Sequence, residues 1–322
     1  MRAPEFWTRA RGPGQFLAPL GYVFAAVSRY RRQLASPWRA PVPVICVGNL
    51  VAGGAGKVAL ALAILLQEQG RTVHFLSRGY GGRESGPLRV DSTRHTARDV
   101  GDEPLLLAEI APCWIARDRV EGAKAAIADG ADIIVMDDGF QNNALVKTLS
   151  LLVIDGGYGF GNGRVMPAGP LRESIASGLA RADAAIVMAP DTHGVAELLS
   201  TAPLPVLHAR LAALPSAERL SGRKVVAFAG IGRPEKFFAT LEELGCILVG
   251  QFGFADHHVY SAEEIMRLVE TASATGAVPV TTAKDYARLT PEARSMVEMV
   301  GVTLEWRDQS GIEALLQRVT SP

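Results

Sequence analysis

The sequence predicts an α/β protein: a doubly wound, mostly parallel sheet, followed by a second, smaller α/β domain. Three observations predict this. Short, wholly apolar runs of strand length alternate with segments of helical period, the rhythm of a parallel sheet covered on both faces. A proline-rich break near residues 201–222 is followed by the same rhythm beginning again. The composition, 322 residues with 48% hydrophobic and 20% charged, is that of a folded chain long enough for two cores.

Residues 1–40 read as a membrane-associating helical segment. The run Phe16 to Val27 is apolar, with Arg9 and Arg11 before it and Arg29, Arg31 and Arg32 after it. A bilayer span needs about 20 apolar residues, more than this run supplies. No small-residue cleavage site follows, so a secretory signal is not expected. Arginines on both flanks suit a helix lying among anionic headgroups. The competing reading is a helix packed on the protein's own core.

Residues 41–205 read as the first α/β domain. Strands are expected at 42–47, 73–77, 113–116, 132–136, 149–154 and 184–188, and helices at 58–69, 103–110 and 120–129. Gly70 and Gly130 stand where two of these helices should end. Residues 206–322 read as the smaller domain, after Ala202-Pro203-Leu204-Pro205 and one extended run at 206–211. Its strands are expected at 225–229, 247–252 and 278–281, and its helices at 235–244 and 262–274.

Several classes of function are disfavoured. Lys+Arg and Asp+Glu are both 33, and a zero net charge argues against a nucleic-acid binder. Cys46, Cys113 and Cys246 show no metal spacing and read as buried free thiols in a reducing compartment. No protein partner is predicted.

The chemistry gathers after strands. Following the first comes Gly48-Asn49-Leu50-Val51-Ala52-Gly53-Gly54-Ala55-Gly56-Lys57-Val58. Glycines let backbone N–H groups turn toward a phosphate, the next helix adds its positive end, and Lys57 can reach the terminal phosphates. The match to a P-loop is imperfect: its first glycine falls on Val51, and its final hydroxyl residue, a Mg²⁺ ligand, is Val58. Asp137-Asp138 closes the strand before Gly139-Phe140-Gln141, where P-loop proteins place a metal contact. Gly101-Asp102-Glu103-Pro104 puts two acids before a helix, with capping as the plain alternative. Loops carrying Arg78, Arg164 and Arg172 could hold an anion. In the smaller domain, Asp256-His257-His258 suits one histidine working with a carboxylate rather than a paired metal site.

These motifs, in one order, resemble the tetraacyldisaccharide 4'-kinase family: VGNL…GGAGK, SRGYGG, GDEP, Arg117-Asp118-Arg119, DDGFQN, FGNGR, PAGPLRE, AGIGRP, FADHH and TAKD. The resemblance runs from about Pro43 to Asp285, with the apolar N-terminal segment also in place. It implies a P-loop NTPase-like fold and ATP-dependent phosphorylation of the 4'-hydroxyl of an acylated disaccharide 1-phosphate. The expected place is the cytoplasmic face of the bacterial inner membrane, peripheral or monotopic, against an anionic surface. By the resemblance Asp102 is the base, His257 its helper across a cleft, and Gly53, Gly54, Ala55, Gly56, Lys57 and Val58 hold ATP. Asp137, Asp138, Glu103 and Glu173 would serve Mg²⁺, and Arg78, Arg119, Gln141 and Arg172 the substrate or nucleotide phosphates. The sequence departs from the family's G-G-T-G-K-T-P at Ala55, Val58 and Ala59. A lost ligand contact to a charged group is worth about 1.5–3 kcal/mol, or about 10- to 100-fold in rate. A weakened lipid- or nucleotide-binding homologue, and a P-loop GTPase or metallocentre chaperone, are therefore the alternatives.

Overall fold

A computed structural model describes residues 4–9, 11–51 and 56–320. The chain divides into two compact units, the larger holding most of the chain up to Arg210 together with Leu304–Pro322, the smaller Leu211–Thr303.

The larger unit is built on a nine-stranded sheet. In chain order its strands are β1 (Val44–Gly48), β2 (Val73–Ser77), β3 (Leu88–Arg89), β4 (Cys113–Ile115), β5 (Ile133–Asp137), β6 (Leu149–Asp155), β7 (Ala184–Met188) and β8 (Val206–Ala213), with β13 (Val302–Trp306) at one edge. The spatial order is β13-β8-β7-β6-β1-β5-β2-β4-β3. From β1 the chain builds one side of the sheet, then crosses back and builds the other from β6. The switch point therefore lies at β1, between β5 and β6, both parallel to it. Ligands of such sheets sit outside the carboxyl ends of the strands at that point. Every residue of β1, β2, β5 and β7 is buried, which is why these strands read as continuous apolar runs rather than alternating ones.

The longer helices of this unit are α1 (Ala18–Gln33), α2 (Gly56–Glu68), α3 (Asp102–Ala108) and α4 (Arg119–Ala128). Helix α2 buries Val58, Ala59, Leu62, Ala63 and Leu66 at helical spacing. Helix α4 starts on Asp118, whose carboxylate accepts from the N–H groups of Val120 and Glu121.

The smaller unit has a four-stranded sheet of β9 (Lys224–Ala229), β10 (Ile247–Gly253), β11 (Val278–Thr282) and β12 (Glu298–Val300), in the order β10-β9-β11-β12, all parallel. Period-two alternation along β9 fills two cores. Val225, Ala227 and Ala229 meet Phe237 and Leu241 of α5 (Pro234–Glu243). Val226 and Phe228 meet Ile265 and Leu268 of α6 (Ala262–Thr275). Helix α6 opens on a capping box of Ser261 and Glu264 and ends at Gly276.

The division differs from the sequence expectation at the C-terminus. Residues 206–322 were expected as the smaller domain, whereas 304–320 cluster with the larger unit. There β13 lies beside β8 at the sheet edge, and α7 (Gln309–Thr320) buries Ile312, Leu315, Leu316 and Val319. Covering an otherwise bare strand edge is reason enough for the chain to return.

The N-terminal segment is tied to the loops after β6. The Asn162 N–H donates to the Trp7 carbonyl at 2.7 Å, and Trp7 Nε1 donates to the Pro167 carbonyl at 3.2 Å. A Cβ added at Gly21 would stand 2.7 Å from the Val165 carbonyl oxygen, so only glycine lets α1 lie this close. The rest of α1 leaves Leu20, Tyr22, Val23, Phe24, Val27 and Tyr30 exposed. Among the described residues, no helix is long and apolar enough to cross a membrane.

Candidate active site

The switch point carries the acidic pair. Asp137 ends β5 and is 2% exposed, and its register partner on β1 is Val47. The acid therefore sits beside the strand end from which the glycine-rich loop departs. A Cβ added at Gly56 would lie 3.8 Å from Asp137 Oδ1, so the carboxyl faces the first residue of α2. That Oδ1 is buried with no hydrogen-bond partner among the described residues. Burial pushes the Asp137 carboxyl well above its ordinary range; Glu103 and then Asp138 push the same way, against Arg119.

Asp138 adopts a left-handed backbone with φ 48° and is forked by Arg172, at 2.6 Å to Oδ1 and 3.1 Å to Oδ2. Arg172 also donates to Gln141 Oε1 at 3.1 Å, and Gln141 Nε2 donates to the Asn49 carbonyl at 3.0 Å. The Arg172 N–H reaches the Leu50 carbonyl at 2.8 Å, and Leu171 bridges Val51. The start of the loop after β1 is thus strapped by residues 171–173.

Asp102 is the first residue of α3 and only 4% exposed. The position before it, the N-cap, is Gly101 at φ 89°, where an added Cβ would stand 2.4 Å from the Tyr80 carbonyl oxygen. Both the backbone angle and the space demand glycine there. Asp102 is therefore not the capping residue of its helix. Glu103 follows, and it is the strongest of the charges raising Asp137, which puts it beside the acidic pair.

Arg119 opens α4 and is buried, donating through Nη1 to the Ala116 carbonyl. Burial and then Arg78 push its guanidinium down to about 10, while Asp138 and Asp137 pull the other way. Arg78 itself is exposed in the loop after β2. Lys57 is exposed on the first turn of α2, whereas Val58 is fully buried. Gly53, Gly54 and Ala55 lie outside the described residues.

Three sequence expectations concern residues to which the structure gives other partners. Glu173, expected as a metal ligand, is 3% exposed with both oxygens occupied. Oε1 accepts from Arg181 and from Gln141 Nε2 at 3.4 Å, and Oε2 from Arg32 Nη1 and Ser177 Oγ, both at 3.0 Å. Burial works against its charge, but Arg181 and Arg32 outweigh it and hold the carboxyl below its ordinary range. Glu173 is an anchor. Arg32, expected to face headgroups, turns inward to that anchor. Gln141 and Arg172, expected on the substrate, hold Asp138 and the loop. The partners Arg32 and Arg181 carried no local signal, because they lie 141 and 8 residues from Glu173.

Among the described residues, no three His, Cys, Asp or Glu side chains converge as a metal cage. Mg²⁺ does not need one: it keeps several waters and uses one or two carboxylates with phosphate oxygens. The partnerless Oδ1 of Asp137, with Asp138 and Glu103 raising its pKa, fits a site that a cation would complete.

In the smaller unit, His257 and His258 part. His258 Nε2 lies 3.1 Å from Glu264 and its ring stacks on Phe254. The ring of His257 turns instead to Arg288, Nδ1 to Nη2 at 3.3 Å. The two rings do not form a metal pair.

A glycine-rich loop at the switch point of a parallel sheet, a lysine on the following helix and a buried acid on the neighbouring strand define a phosphoryl-transfer enzyme of the P-loop kind. The chain belongs to the family described as LpxK, tetraacyldisaccharide-1-P 4'-kinase, which it matches over residues 14–321. It is 52% identical over 324 residues to the tetraacyldisaccharide 4'-kinase of Rhodospirillum rubrum, covering 99% of this chain and 98% of that one. It is 53% identical over 320 residues to that of Gluconacetobacter diazotrophicus, covering 98% and 97%. Among solved structures it is similar to LpxK from Aquifex aeolicus in complex with ATP, with a TM-score of 0.75 and 26% identity over 95% of this chain and 99% of that one.

Proposed function

We propose that this chain transfers the γ-phosphoryl group of ATP to the 4'-hydroxyl of a tetraacyldisaccharide 1-phosphate. The observation that carries the proposal is Asp137: a buried carboxylate with a partnerless oxygen, aimed at the first residue of α2 beside the phosphate loop.

Lys57 and the backbone of the loop hold the β- and γ-phosphates, with the positive end of α2 behind them. Asp102 accepts the proton of the sugar hydroxyl as its oxygen bonds to γ-phosphorus and the bond to the bridging oxygen of ADP breaks. Asp137 and Asp138, with Glu103 nearby, would hold Mg²⁺, which when bound would supply neutralisation of the phosphate charge. Arg119 and Arg78 add fixed positive charge on the same edge, and the buried guanidinium of Arg119 is rigid enough to orient an anion. Arg172, forked onto Asp138, keeps that acid in place.

The acyl chains of the substrate give α1 its purpose. With Gly21 against Val165 and Ala168 and its aromatic and aliphatic side outward, α1 suits an anionic lipid surface, here the cytoplasmic face of the inner membrane. The readings as a GTPase or metallocentre chaperone, or as a homologue that binds without turnover, have no support from kinases about half identical over the whole chain.

The test is incubation with detergent-dispersed tetraacyldisaccharide 1-phosphate, Mg²⁺ and γ-labelled ATP, with Asp102→Ala alongside. Label in the lipid is expected only with the unmodified protein. Equal labelling by both would remove Asp102 from the chemistry, and no labelling by either would overturn the kinase reading.

A further inference from the structure

Helix α1 carries a single charge on its inward stripe. From Gly21 to Gln33, the residues drawn in from solvent are Gly21, Ala25, Ser28 and Arg32, and every other one is exposed. That spacing is one face of a helix. Gly21 and Arg32 stand three turns apart on it, about 16 Å along the axis. Gly21 lies against Val165 and Ala168. At the far end, Arg32 Nη1 reaches Glu173 Oε2 at 3.0 Å and Ser177 Oγ at 3.3 Å, and the Arg32 side chain is 24% exposed.

Glu173 carries that contact to the loop after β1. Its Oε1 accepts from Gln141 Nε2 at 3.4 Å, and the same Nε2 donates to the Asn49 carbonyl at 3.0 Å. Gln141 Oε1 accepts from Arg172 Nη1 at 3.1 Å. The amide meets acceptors at its nitrogen and a donor at its oxygen, so it is fixed in one sense. Directly before Glu173 in the chain, the Arg172 N–H donates to the Leu50 carbonyl at 2.8 Å, and Leu171 bridges Val51. Asn49, Leu50 and Val51 are the described start of the glycine-rich loop. Each is held by Gln141 or by the segment 171–173, and Glu173 joins both of these to α1. Without Arg32, a carboxylate that is 3% exposed would keep only one of its two cations, Arg181. A buried charge left under-compensated moves toward water or takes up a proton. Either change disturbs its bond to Gln141 and the adjoining Arg172 peptide.

We propose that Arg32 is a positioning residue for ATP: through Glu173, Gln141 and the segment 171–173 it sets the loop that receives the phosphates. Helix α1 is then part of the nucleotide site and not a detachable anchor. The proposal rests on the reading of the loop after β1 as the ATP site.

The test is a titration of full-length protein, in detergent without the lipid substrate, with Mg²⁺ and a fluorescent non-hydrolysable ATP analogue. Arg32→Met should weaken binding at least about 5-fold. Arg32→Lys, which keeps a charged donor, should recover part of the loss. Arg31→Met removes the same charge from an exposed neighbour and should leave the Kd unchanged. In turnover by Arg32→Met the loss should appear in the KM for ATP, with the KM for lipid within about twofold. Coupling is reciprocal, so in the unmodified protein the bound analogue should slow amide hydrogen exchange at residues 29–34. Equal Kd values for Arg32→Met and the unmodified protein would overturn the proposal. So would equal weakening by Arg31→Met, which would assign the effect to charge at a distance. Exchange at 29–34 unaltered by the analogue would overturn it even if Arg32→Met failed to fold. No binding by the unmodified protein would instead overturn the reading of the loop as the ATP site.

Discussion

At the scale of single residues, the candidate site keeps several ionisable side chains away from water, Asp102, Arg119 and Asp137 among them. Asp137 is the clearest case, because burial and two neighbouring acids raise its pKa. A carboxyl raised in this way stabilises the fold while protonated, below its unfolded value, and loses that contribution as pH rises toward its folded value. Asp137→Asn should therefore raise the neutral-pH stability of the nucleotide-free protein by about 1 kcal/mol, or roughly 2–4 °C in Tm, while turnover falls at least about 100-fold. Calorimetry beside the labelling assay checks both, and a lower Tm would show that the acid is already compensated. Val58 offers the opposite experiment. Threonine has nearly the shape of valine and restores the hydroxyl of a P-loop. Val58→Thr should raise kcat by up to about 10-fold or lower the Mg²⁺ concentration needed for half-maximal rate. Unchanged values for both would show that another ligand already fills that place. The two non-glycine residues with left-handed backbone among those described, Asp138 and His257, are both in motifs that stood out in the sequence. Unusual backbone of this kind gathers at functional positions.

At the scale of elements, Glu173 joins three pieces of chain: α1 through Arg32, the short helix Ile175–Leu179 through Ser177, and the loop after β5 through Gln141. Its pKa is lowered, so its contribution is present above the ordinary glutamate value and is lost as pH falls through the folded one. Glu173→Gln should cost about 1–3 kcal/mol. It should also speed amide hydrogen exchange along α1 at neutral pH, with little further change on acidification. Exchange in α1 equal to that of the unmodified protein would remove the anchor role. The sequence made the central strands of the large sheet legible because β1, β2, β5 and β7 are buried on both faces and so read as largely unbroken apolar runs. β2 and β7 begin and end where they were expected. β12, β13 and α7 were not foreseen, since β12 has three residues and β13 alternates too weakly to stand out from a tail. The site was legible where a motif sits at a strand end, as with Asp137, because the sheet itself sets the position. It was less legible at Glu173, whose partners are arginines brought in by the fold.

At the scale of the whole molecule, composition and the alternation of apolar runs with helical segments gave the fold class, and the order of motifs gave the family. The outward face of α1 belongs to this scale, because its apolar side chains stand largely exposed among the described residues. Replacing Tyr22 and Phe24 together by Asp should weaken binding to anionic vesicles at least about 10-fold while ATP affinity stays unchanged. Vesicle co-sedimentation reads this, and undiminished binding would assign the face to something other than lipid. Under the proposed seating of α1 on lipid, the close approach that Gly21 permits has a kinetic consequence. A catalyst held flat on a surface meets its substrate by lateral diffusion in two dimensions. Its velocity then follows the mole fraction of substrate within the surface, and inert amphiphile added at constant substrate concentration acts as a diluent that slows the reaction.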